Sequence, residues 1–139
     1  MKINFKRHLY NISLFRYVNN LYEDVKTILS TLEKEEKEEK EEKEVDVETY
    51  FHTFDFLFRH LETSTYFWYH YQPHIIEDIS IYQRTIDYFQ VLSSCFLLLM
   101  DRFEEVSGKT EYYVRYLYER SVLLLRSIEM SHPNPSGSV

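Results

Sequence analysis

Along residues 74–107 the apolar positions fall in two parallel rows. Ile75, Ile79, Tyr82, Ile86, Phe89, Ser93, Phe96, Met100 and Phe103 recur at alternating steps of four and three, the spacing of one seam along an α-helix. Ile81, Thr85, Tyr88, Leu92, Cys95 and Leu99 repeat the rhythm on the adjacent flank. A helix with two apolar flanks needs neighbours on both. The pattern therefore predicts a long central helix over 74–107, with the rest of the chain packed round it.

The flanking segments supply those neighbours. Leu14, Phe15, Val18, Leu21, Tyr22, Val25, Ile28, Leu29 and Leu32 share one helical arc and predict a first helix, with Ser13 as its N-cap. Ile3, Phe5, Leu9 and Ile12 do not continue that arc, so 1–13 reads as a separate arm whose conformation the pattern leaves open. Residues 33–44 repeat Glu-Glu-Lys without an apolar position; their i,i+4 pairs, such as Glu33 with Lys37, suit a solvated helical extension or a charged linker. A second helix, capped by Asp46, carries the stripe Tyr50, Phe51, Phe54, Leu57, Phe58, Leu61, Thr65, Trp68 and Tyr69. It is expected to run to about Tyr71, with a strand over the β-favouring stretch 63–71 as the competing outcome. Pro73 suits the first turn of the central helix and Gly108 its left-handed C-terminal cap. Thr110 opens a fourth helix whose core face is Val114, Leu117, Ser121, Leu124 and Ile128, reinforced by Leu125. The sum is an all-α, antiparallel four-helix bundle: one domain over 1–131, then a flexible tail, 132–139, with two prolines and a glycine.

Composition narrows the function. A chain of 139 residues with 44% hydrophobic content suffices for one core. Gly108 and Gly137 are the only glycines, so glycine-rich phosphate and dinucleotide loops are excluded. The longest apolar run, 95–100, is far too short to span a bilayer. The lone Cys95 and the lack of an N-terminal apolar leader lead us to expect an intracellular, cytoplasmic protein. The net charge of −7 is uneven: 1–22 hold four basic residues and no acid, whereas 23–48 hold twelve acids against five lysines. An acidic body repels phosphate backbones, which disfavours nucleic acid as a partner. The exception is the N-terminal arm, where Lys2, Lys6, Arg7 and Arg16 are interleaved with Phe5, His8, Tyr10 and Phe15, as a nucleic-acid contact or an anionic membrane surface would require.

Candidate chemistry is sparse. His70 and His74 stand four apart near Glu77, but Pro73 between them is expected to break the helix that would join their rings, so no metal site is assigned. His52 and His60 fall with Asp55, Arg59 and Glu62 on what reads as the solvated side of the second helix. Cys95, inside a seam, reads as a small packed hydrophobe. Glu129-x-x-His132 resembles half of a ferritin-like di-iron motif, but the chain holds no second Glu-x-x-His. Arg126 and His132, with five residues between them in a small helical chain, resemble the arginine-to-histidine spacing of HEPN-type ribonucleases. That resemblance implies two motifs meeting across a dimer to cleave RNA by general acid-base chemistry, with Arg126 and His132 catalytic. This chain departs from the pattern in placing Pro133 directly after the histidine and Ser127 after the arginine.

The strongest signal concerns a partner. Opposite its core face the fourth helix carries a second apolar strip, Tyr112, Tyr116, Leu123 and Met130, and tyrosine and methionine are favoured at interfaces. Either the first helix or the N-terminal arm covers this strip, or another chain does. The leading expectation is a non-enzymatic interaction or scaffold protein without cofactor, a homo-oligomer or bound to a protein partner. By composition it fits a small accessory protein of a virus or mobile element. Nucleic-acid binding through the arm and a HEPN-like ribonuclease are the alternatives.

Overall fold

The computed structural model describes residues 5–39, 47–107 and 112–131, with side chains placed at 6, 9–34, 50–102 and 112–131. These form four helices, α1 (Phe5–Glu39), α2 (Val47–Glu77), α3 (Ile79–Ser107) and α4 (Tyr112–Met130), and no strand lies among the described residues. The architecture is an all-α antiparallel four-helix bundle. Cross-helix contacts fix the directions: Tyr10 meets His74 and Tyr17 meets Phe67, so α1 and α2 are antiparallel; Asn11 meets Asp78 and Val25 meets Cys95, so α1 lies parallel to α3; and Tyr82 near the start of α3 meets Ile128 near the end of α4. The other three helices pack chiefly on α3, while α1–α2 and α2–α4 contacts are slight.

The two rows on α3 explain that centrality. Ile81, Thr85, Tyr88, Leu92, Cys95 and Leu99 of one row are buried, and so are Tyr82, Ile86, Phe89, Ser93, Phe96 and Met100 of the other. The hydroxyls that enter the core remain satisfied, with Thr85 donating to the Ile81 carbonyl and Ser93 to that of Phe89. On α1, Leu14, Val18, Val25 and Leu32 reach the core; on α4, Val114, Leu117, Ser121, Leu124 and Ile128 do.

Four points bear on the sequence expectation; the first, second and fourth depart from it. First, Pro73 does not separate α2 from the central helix. It lies inside α2, which continues to Glu77, and the central helix begins at Ile79. An interior proline costs about 3 kcal/mol, but only the last turn lies beyond it, and that turn fully buries Ile75, an apolar side chain worth about 1.5–3 kcal/mol. The break comes at Asp78, whose Oδ1 accepts from the amides of Ser80 (3.0 Å) and Ile81 (3.2 Å), an N-cap for α3. Ile79, one residue past the cap, is consequently exposed rather than part of the seam.

Second, α1 is already helical at Phe5, with no break at Ser13. Leu9 and Ile12, which spoiled the pattern, are left exposed. The residues between them anchor the turn instead: the Tyr10 ring packs on His74 and Tyr71, and Asn11 Nδ2 donates to Asp78 Oδ2 at 3.4 Å. Third, 63–71 is helix, as expected, and not the competing strand: Ser64 and Thr65 return their hydroxyls to the carbonyls of His60 and Leu61 and so fit a helical backbone. Fourth, Phe51 and Tyr69 are exposed. The buried line of α2 runs through Leu57, Leu61, Ser64, Trp68 and Ile75, and at 100° per residue both aromatics sit roughly 120° round from it. The expected caps at Asp46 and Gly108, the start at Thr110, the Phe103 side chain and the tail lie outside the described residues.

Candidate docking face and aromatic cleft

With its core residues turned onto α3, α4 presents its other side outward. Tyr112 is 80% exposed, Tyr116 53%, Leu123 64% and Met130 84%. The four fall within roughly 40° of arc on a helical wheel, so they form one strip, and none of α1, α2 or α3 covers it. Tyr113, outside the strip, turns toward α2 and meets the rings of Phe54 (5.5 Å) and Phe58 (6.2 Å).

The strip is held on a fixed helix. The Tyr82 hydroxyl of α3 donates to the carbonyls of Ile128 (2.9 Å) and Glu129 (3.1 Å) in the last turn of α4, the first of which also accepts from the Ser131 amide at 3.1 Å. Burial, and secondarily the Glu129 charge, push the Tyr82 hydroxyl up from its ordinary value, so it stays protonated as a donor. On the strip itself, Arg120 Nη1 donates to the Tyr116 hydroxyl at 3.3 Å.

The other sequence candidates are placed as follows. Arg126 is exposed on α4, while His132 lies outside the described residues. Lys6 and Arg16 are exposed on α1; Lys2 and the Arg7 side chain are outside the described residues. Asp55 and Arg59 form an exposed ion pair at 3.1 Å on the outer side of α2.

His60 is not on that outer side. It is half-buried against α3, its Nδ1 2.9 Å from the Tyr88 hydroxyl. Burial lowers its pKa, with the Asp24 charge acting more weakly the other way, so the neutral ring is favoured. Burial likewise raises Tyr88, and with Tyr88 fully enclosed this pair joins two helices rather than facing a substrate. Cys95 is buried, its Sγ 3.5 Å from the Val25 carbonyl, and burial pushes the thiol up to about 12. An unionised, enclosed thiol is no nucleophile.

One feature was missed from the sequence. Between α1 and α2, toward the Asp78 end of the bundle, lies a cleft of about 400 Å³ lined by Tyr10, Ser13, Leu14, Tyr17, Thr63, Tyr66, Phe67 and Tyr71. The rings touch in series, with Tyr17 against Phe67 at 5.0 Å, Phe67 against Tyr71 at 5.2 Å and Tyr71 against Tyr10 at 6.2 Å. His70 and His74, both exposed, lean on this cluster: His70 stacks on Tyr66, and His74 meets Tyr10 edge-on at 4.9 Å. No group of histidine, cysteine and acidic side chains able to hold a metal ion occurs among the described residues. No helix among them is long and apolar enough to cross a membrane.

No family model, curated protein or solved structure matches the chain.

Proposed function

We propose that this chain is a non-enzymatic protein–protein interaction module that docks through the outer face of α4. One observation carries the reading: α4 already buries a full apolar face on α3, yet Tyr112, Tyr116, Leu123 and Met130 stand exposed on the opposite face. A helix at the edge of a bundle gains nothing in isolation from such a strip. Contiguous exposed apolar side chains mark interaction sites, and tyrosine and methionine are enriched there. The Tyr82 clamp supports the same reading, because a fixed helix end loses less entropy on docking. The lone buried cysteine supports work in a reducing compartment such as the cytoplasm.

The test places a photo-crosslinking side chain at Leu123 in the source cells, with one at Arg59 on the outer side of α2 as control. A protein adduct formed from position 123 and absent from position 59 supports the docking face. Equal labelling at both positions, or none at 123, removes it.

A further inference from the structure

The strip has a symmetry of its own. Tyr116 lies seven residues before Leu123 and Met130 seven after, so each is two helical turns from the leucine along one line. Glu119 and Arg126, both exposed, border the same side of that line, four residues before Leu123 and three after.

Resting on the reading of α4 as the docking face, we infer that the partner is a second copy of this chain, its α4 lying antiparallel on the first about a two-fold axis beside Leu123. Such an axis sets Leu123 on Leu123 of the other copy and each Tyr116 against the other's Met130, a sulfur–aromatic contact. It also brings like flanks of the two helices together, so each Glu119 lands beside the other copy's Arg126 and the ion pair forms twice. A parallel two-fold would instead turn the flank that carries Glu119 and Arg126 toward the other copy's opposite flank, where the Glu119–Arg126 pairs do not form. The Glu119–Arg126 pairs therefore belong to the antiparallel arrangement and set its register, while the apolar line supplies the affinity. Within one copy the two charges are two turns, about 10 Å, apart along the axis and do not serve each other.

The experiment measures the oligomeric state of the full chain by sedimentation equilibrium for wild type, Glu119→Arg, Arg126→Glu, an equimolar mixture of those two variants, and Leu123→Asp. All three positions are exposed, so the bundle is expected to stay folded, with circular dichroism as the check. Wild type is expected to dimerise. Each charge reversal faces like charges twice and should weaken the dimer on the order of tenfold. In the mixture, a chain carrying Glu119→Arg meets one carrying Arg126→Glu with both cross-copy pairs of opposite sign, and association should return to near the wild-type level. Leu123→Asp should leave monomers. A wild type still monomeric at about 1 mM, a dimer indifferent to all these changes, or a mixture no stronger than its components overturns the second copy as partner. If wild type is monomeric while position 123 crosslinks to a different protein, the homotypic pairing is wrong and the docking face stands. If position 123 crosslinks to nothing, both are lost.

Discussion

Replacing Asp78 with alanine tests where the central helix begins. Its carboxylate accepts from two amides of the first turn of α3, at 3.0 and 3.2 Å, and from Asn11 of α1 at 3.4 Å. Loss of an N-cap costs about 1 kcal/mol. The long Asn11 bond adds about 0.5 kcal/mol and the negative charge at a helix N-terminus about 0.5 kcal/mol. Asp78→Ala should therefore destabilise the fold by about 2 kcal/mol, a drop of roughly 4–8 °C in Tm for a domain of this size. Asp78→Asn, which keeps the cap and removes the charge, should recover more than half of the loss. The readout is urea unfolding followed by circular dichroism, with amide exchange on 79–82 locating the effect. The sign is decisive. If the central helix began at Pro73, Asp78 would be an exposed interior position, and alanine there would stabilise by about 0.5 kcal/mol. A neutral or stabilising result refutes the cap.

Pro73→Ala complements that test: with the proline inside α2, alanine restores an amide donor and should stabilise by about 1–3 kcal/mol in urea unfolding, whereas at a first-turn position it would be neutral or mildly destabilising. His60 gives a pH dependence. Its folded pKa lies below the ordinary 6.5, so its contribution is full above that value and is lost as pH falls from there toward the folded pKa. The urea midpoint of wild type should fall more than that of His60→Gln between pH about 7.5 and about 5.5; identical slopes refute the burial argument. Cys95, with its thiol near 12, should react with a thiol reagent at pH about 8 at least a hundredfold more slowly in the native chain than in urea, and immediate native labelling would contradict its enclosure.

What the sequence made legible follows from what period and spacing encode. The double row on α3 and the two faces of α4 are properties of single helices, so a helical wheel displays them before any packing is known. Pro73 misled because local propensity favours a break there, whereas the buried Ile75 just beyond it holds α2 together and moves the boundary to Asp78. His60 sits between the polar and apolar faces of α2, and only its position against Tyr88 turns it inward. The aromatic cleft was invisible for a related reason: Tyr10 and Tyr17 come from one helix, Tyr66, Phe67 and Tyr71 from another, and no spacing along the chain pairs them. Its one sequence sign was an aromatic content of 17%, with thirteen tyrosines.

The dependence of every other helix on α3 has a consequence for how the protein is made. Because α1 and α2 meet chiefly through the rings of Tyr10, Tyr17, Phe67 and Tyr71 and each lays most of its apolar stripe on α3, the first half of the chain leaves the ribosome with much of its greasy surface uncovered. At about 5–20 residues per second the wait for α3 lasts some seconds. A nascent chain halted near Asp78 should bind chaperones avidly, and one released only after Ser107 has cleared the exit tunnel should not.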